Sequence, residues 1–256
     1  MGAEELRRFR LGQFPIVVGG VVVAVTADGV APGRLKLTGE LLAEIYLGRV
    51  QTWSDPAIAA LNPGLALPDA RIEVLRRSDG SGTTAAFTDF LSKTSPPWRD
   101  GVGSGLLVAW PTGAGAKGND GMADALKRTR NAVGYLDFAQ ARQAGLGHAL
   151  LRNRAGAFVA PGVEGFRAAA EAAGWGSTAG FDAPLTDAPG EASHPIVAAT
   201  YVVLPKRPDA LQRSRAVVAF FRWAFDHGAQ AAAELGYVPL SREQVERVKA
   251  GWAADF

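Results

Sequence analysis

The sequence contains no cysteine. Disulfides and thiolate metal sites are thereby excluded, although this absence alone fixes no compartment. Histidine is nearly as scarce. His148, His194 and His227 stand far apart, each beside a glycine, a proline or the end of an expected helix. Asp124, Asp137, Asp182 and Asp187 are scattered, so neither a histidine–carboxylate metal set nor a paired-carboxylate acid–base site is implied. Asp137 is read as a solvated strand end rather than a cleft residue. No nucleophile elbow or Ser/His/Asp arrangement occurs. Neither sign of charge dominates: 27 Lys and Arg face 25 Asp and Glu, a formal net charge of +2. With no dense basic run, nucleic acid and charged membrane surfaces are not implied partners. The longest apolar run, residues 16–25, is interrupted by two glycines and is too short to cross a bilayer. The charged N-terminal residues lack a basic segment followed by an apolar one, so no signal peptide is expected. No internal repeat is visible.

What is present is an ordinary globular composition, 48% hydrophobic over 256 residues, enough for one large domain or two small ones. The chain is organised around Arg76-Arg77-Ser78-Asp79-Gly80-Ser81-Gly82-Thr83-Thr84. Before it, residues 71–75 alternate as a strand does. After it, Ala86, Phe87, Phe90 and Leu91 recur at helical spacing. The nonet is therefore a strand-to-helix turn. Its glycines allow close backbone approach, and Ser81, Thr83 and Thr84 place hydroxyls where the first helical amides lack partners. Amides, helix dipole, hydroxyls and a guanidinium together suit an anion. The plainer reading is an N-cap with an exposed Arg–Asp pair, worth little energetically. The turn is not a P-loop, since no lysine follows the second glycine, and the dinucleotide glycine spacing is absent. Arg76 is expected to point away from Arg77 and lie at the surface.

Elsewhere, residues 4–11 suggest a short helix and 14–25 a strand, or two bent at Gly19-Gly20. Thr38 caps a helix ending at Gly48, and Asp55-Pro56 opens another that Asn62-Pro63-Gly64 stops. Residues 94–118 read as irregular, anchored by Trp98 and Trp110. Asn119 is expected to cap a helix over 120–127. A strand at 132–137 precedes a short helix, strand-like pieces lie within 148–159, and an Ala-rich helix covers 163–173. A strand at 196–204 leads to a long helix over 208–227. Its expected apolar face includes Leu211, Val217, Val218, Phe221, Ala224 and Phe225, with Trp223 also read as core and Gly228 in the C′ position. Helices over 229–235 and 241–252 follow. Strands alternating with helices make the class α/β with mixed sheets.

The turn Arg77-Ser78-Asp79-Gly80-Ser81-Gly82-Thr83-Thr84, with Phe87-Thr88 and Leu91, resembles the signature of the phosphate-binding proteins of bacterial phosphate ABC transporters. The resemblance extends through Gln13 to Val22, Leu37-Thr38-Gly39, Trp53-Ser54-Asp55, Lys117 to Gly121, Ala132 to Tyr135, Phe220 to Ala224, and Leu235-Gly236-Tyr237. It implies a two-lobe periplasmic-binding-protein fold of the second type. Residues 26–192 would form lobe two, and 1–25 with 193–256 a remnant of an incomplete lobe one. It implies that Arg77, Ser81, Gly82 and Thr83 hold inorganic phosphate and that Asp79 orients Arg77. No cofactor, metal or catalytic residue is implied. The expected partner is the membrane permease of the transporter, and the expected setting is the periplasm or cell surface, as a monomer. Family members also carry an upstream segment with further phosphate contacts, an acceptor carboxylate among them, which this sequence does not contain; weaker binding is the expectation. Two alternatives remain: a phosphoryl-handling enzyme using the same turn, and a truncated product with impaired binding.

Overall fold

The computed structural model describes residues 3–178, 180–206, 209 and 211–255. In chain order, α1 (Ala3–Arg8) leads into β1 (Leu11–Val25), followed by β2 (Lys36–Leu37), α2 (Gly39–Tyr46), α3 (Pro56–Leu61), β3 (Glu73–Arg77) and α4 (Gly82–Thr94). Next come α5 (Pro96–Gly101), β4 (Ala114–Ala116), α6 (Gly118–Arg128), β5 (Ala132–Asp137), α7 (Phe138–Gln143), β6 (Leu150–Arg152), β7 (Phe158–Val159) and α8 (Val163–Ala172). A 3-10 turn (Trp175–Ser177), β8 (Val197–Pro205), α9 (Leu211–His227), α10 (Ala229–Leu235), β9 (Val238–Pro239) and α11 (Arg242–Asp255) complete the chain.

β1 carries the architecture. It is rich in valine, which suits extended backbone, and runs unbroken through Gly19-Gly20. The glycines mark a change of partner instead of a bend. Up to Gly20 the strand pairs antiparallel with β8, and from Val21 it pairs antiparallel with β5. β9 also pairs with β1, at Val17 and Val18. β3 lies parallel to both β5 and β4, giving the sheet order β4-β3-β5-β1-β8. β2, β6 and β7 form a small separate sheet. Gly20 is required by close packing: a Cβ there would fall 2.0 Å from the Phe166 ring.

Three apolar clusters fill the interior, and β1 feeds each. Val21 and Val23 join Tyr46, Trp53, Phe87, Phe90, Trp98 and Tyr135. Phe14 and Val18 join Phe166, Trp175, Val218 and Trp252, a cluster that also takes in Phe181, Leu185 and Ala188. Val22 and Ala24 join Met122, Leu126 and Leu136. Side chains alternate across a strand, so one element serves opposite faces at once.

Local signals account for the helix starts. Thr38 accepts the Leu41 amide and Asp55 the Ala57 amide, with Pro56 in the first turn. The expected irregular stretch 94–118 instead holds α5 and β4. Ser95 accepts the Trp98 amide, and prolines occupy the first helical positions, where a missing N–H costs nothing. Trp98 is fully buried and Trp110 stacks near Tyr135, so both anchor the stretch. Gly228 has φ −95 and caps α10 rather than ending α9 in a left-handed turn. It is glycine because a Cβ would lie 2.6 Å from the Ala224 carbonyl oxygen. Trp223 is not core. Val218 is buried, and Phe221 and Phe225 pack on the second cluster, while Phe220 and Trp223 stay 57% and 58% exposed. Spacings of three and four residues put Phe220, Trp223 and His227 on one outer face of α9. Of the expected 208–227 helix, residues 208 and 210 lie outside the described set, as does the side chain of Leu211.

Candidate functional site

β3 extends past the expected 71–75 to deliver Arg77 at its end, buried to 6% exposure. A buried guanidinium needs partners for its N–H groups. Nε donates to Asp79 Oδ1 at 2.8 Å and Nη2 to Asp79 Oδ2 at 2.6 Å, a two-pronged ion pair, while Nη1 donates to Asn119 Oδ1 at 3.0 Å. A guanidinium carries five N–H groups, so each terminal nitrogen keeps a further one for a ligand. The bond from Arg77 holds the Asp79 carboxyl well below the usual carboxylate range, assisted by the Gly118 amide donating to Oδ1 at 3.1 Å. Strand alternation sends Arg76 the other way, as expected, but it is half-buried rather than at the surface, its Nη1 reaching the Arg77 carbonyl.

The turn after Arg77 starts α4. Ser81 is the N-cap: its Oγ accepts the Thr84 amide at 3.3 Å, its carbonyl accepts the Ala85 amide, and its own amide donates to the Leu106 carbonyl. The first helical amides have no partner one turn back. Gly82 and Thr83 therefore present their N–H groups at the positive end of the helix dipole. Thr84 departs from the sequence reading. Its hydroxyl turns inward to the Tyr135 hydroxyl at 2.7 Å, and the Tyr135 oxygen accepts the Arg77 amide at 3.2 Å. Burial pushes the Tyr135 phenol up, which keeps it neutral while it ties β3, α4 and β5 together.

These groups open on a cavity of about 430 Å³ lined by Arg77, Gly80, Ser81, Gly82 and Thr83 on one side. The structure thus brings all four expected ligand residues to one cavity, with Asp79 gripping Arg77 behind them. The remaining wall combines Gly19, Gly20 and Val21 of β1, residues Ala198–Thr200 of β8, Asn119, Asp137, Gln140 and Tyr237. Asn119 and Asp137 are corrections. α6 begins at Gly118 without a side-chain cap, and Asn119 serves Arg77 instead of capping. Asp137 is a cavity residue: it accepts the Tyr237 hydroxyl at 3.0 Å and the Ala139 amide at 2.9 Å. Burial raises its carboxyl pKa, and burial with the neighbouring carboxylate raises Tyr237 to about 12. Tyr237, Gln140 and Thr200 carried no local signal, since they meet the turn only through the sheet. Among the described residues no group of three or more His, Cys, Asp or Glu side chains is placed to hold a metal ion, and no helix is long and apolar enough to cross a membrane.

The family model of the PBP superfamily domain matches residues 2–227. Phosphate-binding protein PstS of Haemophilus influenzae is 46% identical over 256 residues, spanning 100% of this chain and 77% of that protein. The chain belongs to the PstS phosphate-binding protein family. PstS of Xylella fastidiosa strain Temecula1 is 44% identical over 257 residues, covering 100% of this chain and 70% of its own length. Among solved structures, the phosphate-bound high-affinity periplasmic phosphate-binding protein PfluDING aligns with TM-score 0.70 at 21% identity, over 98% of this chain and 76% of that one. A human phosphate-binding apolipoprotein aligns with TM-score 0.71 at 20% identity, over 97% and 77%. The PstS-family fold is thus a mixed α/β, periplasmic-binding-protein-like architecture.

Proposed function

We propose that this chain binds inorganic phosphate on the 77–84 turn and delivers it, without catalysis, to the membrane permease of an ABC transporter for phosphate uptake. The supporting observation is Arg77, a buried guanidinium fixed by Asp79 and Asn119 beside the open amides of Gly82 and Thr83. A fixed, desolvated cation next to a helix start stabilises a tetrahedral oxyanion through charge-assisted bonds. In this reading Arg77, Ser81, Gly82 and Thr83 are the ligand residues, and the carrier works as a monomer in the periplasm or at the cell surface. The two-lobe division is part of the proposal, with 26–192 as lobe two and 1–25 with 193–256 as lobe one. The cavity wall draws on both sets, and β1, which lies within 1–25, pairs with β8 of its own set and with β5 of the other.

Calorimetric titration with phosphate tests the reading. Arg77→Ala removes a bond to a charged group worth about 1.5–3 kcal/mol, so affinity should fall roughly ten- to hundredfold. Unchanged affinity in that variant sinks the assignment. The same purified protein should show no turnover of phosphate esters with or without divalent metal; turnover that vanishes in Arg77→Ala would favour the enzyme reading.

A further inference from the structure

The Arg77 turn forms one side of the cavity. The facing wall comes from β1 and β8, through Gly19, Gly20, Val21 and residues 198–200. The two sides are also joined along one edge, where α7 meets the segment between α10 and β9. Three contacts among the described residues make that seam. At the cap of α7, Asp137 Oδ1 accepts the Tyr237 hydroxyl at 3.0 Å. Near the far end of α7, Arg142 Nη2 donates to the Glu234 carbonyl. Between them Gly236 lies against the Phe138 ring, where a Cβ would come to 3.0 Å. Gly236 has φ 98 and ends α10 in a left-handed turn, a conformation that strains any residue with a side chain. Each half of the seam is fixed to its own side. Asp137 ends β5, which pairs with β3, the strand that delivers Arg77. Opposite it, Val238 pairs with Val18 of β1, and the Tyr237 ring lies 3.0 Å from where a Cβ on Gly19 would stand.

We propose that Tyr237 and Gly236 are positioning residues for phosphate binding: they hold the 234–237 turn on α7, and this seam keeps the β1–β8 wall at binding distance from the Arg77 turn before the anion arrives. The inference rests on the phosphate-site reading above and adds to it the residues that hold the second wall. Its physics is preorganisation. An anion on the Arg77 turn alone keeps part of its hydration shell. A second wall excludes that water and strengthens every charge-assisted bond in the site. A protein that must first bring its walls together binds more weakly, by the fraction of molecules in which the walls already face each other. β1 by itself fixes that spacing poorly. It has no side chains at Gly19-Gly20, where it changes partner from β8 to β5, so its backbone there has freedom to bend. The seam lies on the flank of that point, with the Tyr237 ring on Gly19 and its hydroxyl on Asp137. Gly236 stands outside the cavity lining, so it acts on phosphate only through the turn it shapes.

The absence of cysteine allows a pair of spin labels to be placed without background. Lys127→Cys on α6 and Ala231→Cys on α10 put exposed labels on the two sides. Pulsed electron–electron double resonance should give a narrow distance distribution for this protein with or without inorganic phosphate. Adding Tyr237→Phe, which deletes one hydroxyl and leaves the ring, should broaden the distribution of the empty protein, and phosphate should narrow it again. Calorimetric titration of unlabelled Tyr237→Phe should show phosphate affinity lowered roughly two- to tenfold, the contribution of one hydrogen bond. Gly236→Ala pushes the turn off the Phe138 ring and should act in the same direction in both measurements. Unchanged phosphate affinity in Tyr237→Phe overturns the inference. Weaker binding with a distribution as narrow as the parent's also overturns it, since Tyr237 would then be a ligand contact and not a positioning residue. Parent-like binding in Arg77→Ala overturns instead the site reading on which the inference rests.

Discussion

Arg77 shows how a residue with an ordinary side chain becomes a site. Its charge is useful only because Asp79 and Asn119 hold the guanidinium still, so that less rotational freedom is lost when a ligand arrives. The Arg–Asp half of that arrangement was expected from the family resemblance of the 77–84 turn, whereas the residues alone allowed only an exposed pair. Asn119 was not, because its local context, before an expected helix, has a sufficient explanation as a cap. Only the parallel pairing of β3 with β4 brings the start of α6 alongside Arg77. His194 makes the complementary case. It is buried at the point where β1 changes partner, bonded to the Val21 carbonyl and set edge-on against Phe166. Burial pushes its pKa down from 6.5 to about 4. The unfolded chain then binds a proton between those values that the folded one does not, so stability is lost as pH falls from 6.5 toward 4. The shift corresponds to about 3 kcal/mol across that window. Urea denaturation at pH 7 and pH 4.5 measures it, and His194→Gln should lessen the dependence. A parent protein as stable at pH 4.5 as at pH 7 contradicts the argument.

Among elements, the two that build the site differ in what they tolerate. α4 depends on its cap. Ser81→Ala removes the acceptor for the Thr84 amide, and a lost cap costs about 1 kcal/mol. β1 depends on having no side chain at Gly20. Gly20→Ala places a methyl against the Phe166 ring with no space to receive it, and overpacking of this kind costs about 1–3 kcal/mol. Thermal unfolding ranks the two, with Gly20→Ala expected to be the worse. A Gly20→Ala protein as stable as the parent would mean Phe166 is loosely held. Elements with their own start signals were readable in advance: α2 from Thr38, α3 from Asp55-Pro56, and β5 from its apolar run. α5 and β4 were not. Glycine, serine and proline in residues 94–118 match loop composition, and β4 exists through backbone pairing with β3 rather than through side-chain pattern. The outer face of α9 misled for the opposite reason. Phe220 and Trp223 have core composition, but exposure depends on what lies beyond the helix, and periodicity within α9 does not report that.

For the whole molecule the decisive fact is that one strand joins everything. Phe14 and Val18 belong to one apolar cluster, Val21 and Val23 to a second, and Val22 and Ala24 to a third. Two-lobe proteins commonly unfold in stages, since each lobe carries its own core. Here neither side can lose β1 without stripping the other of paired backbone and buried valines. Heat should therefore unfold the chain in a single transition whose calorimetric and van't Hoff enthalpies agree. A ligand that binds only the folded form raises stability by mass action, about 2.7 kcal/mol at a hundred times its dissociation constant. For a chain of this length each 1 kcal/mol is worth roughly 2–4 °C. Phosphate at that excess should therefore move the whole transition upward by about 5–10 °C, and Arg77→Ala should lose about half of that shift or more. Differential scanning calorimetry with and without phosphate decides it. Two resolved transitions, only one of which responds to phosphate, would mean that β1 does not couple the clusters and that the cavity belongs energetically to one side alone.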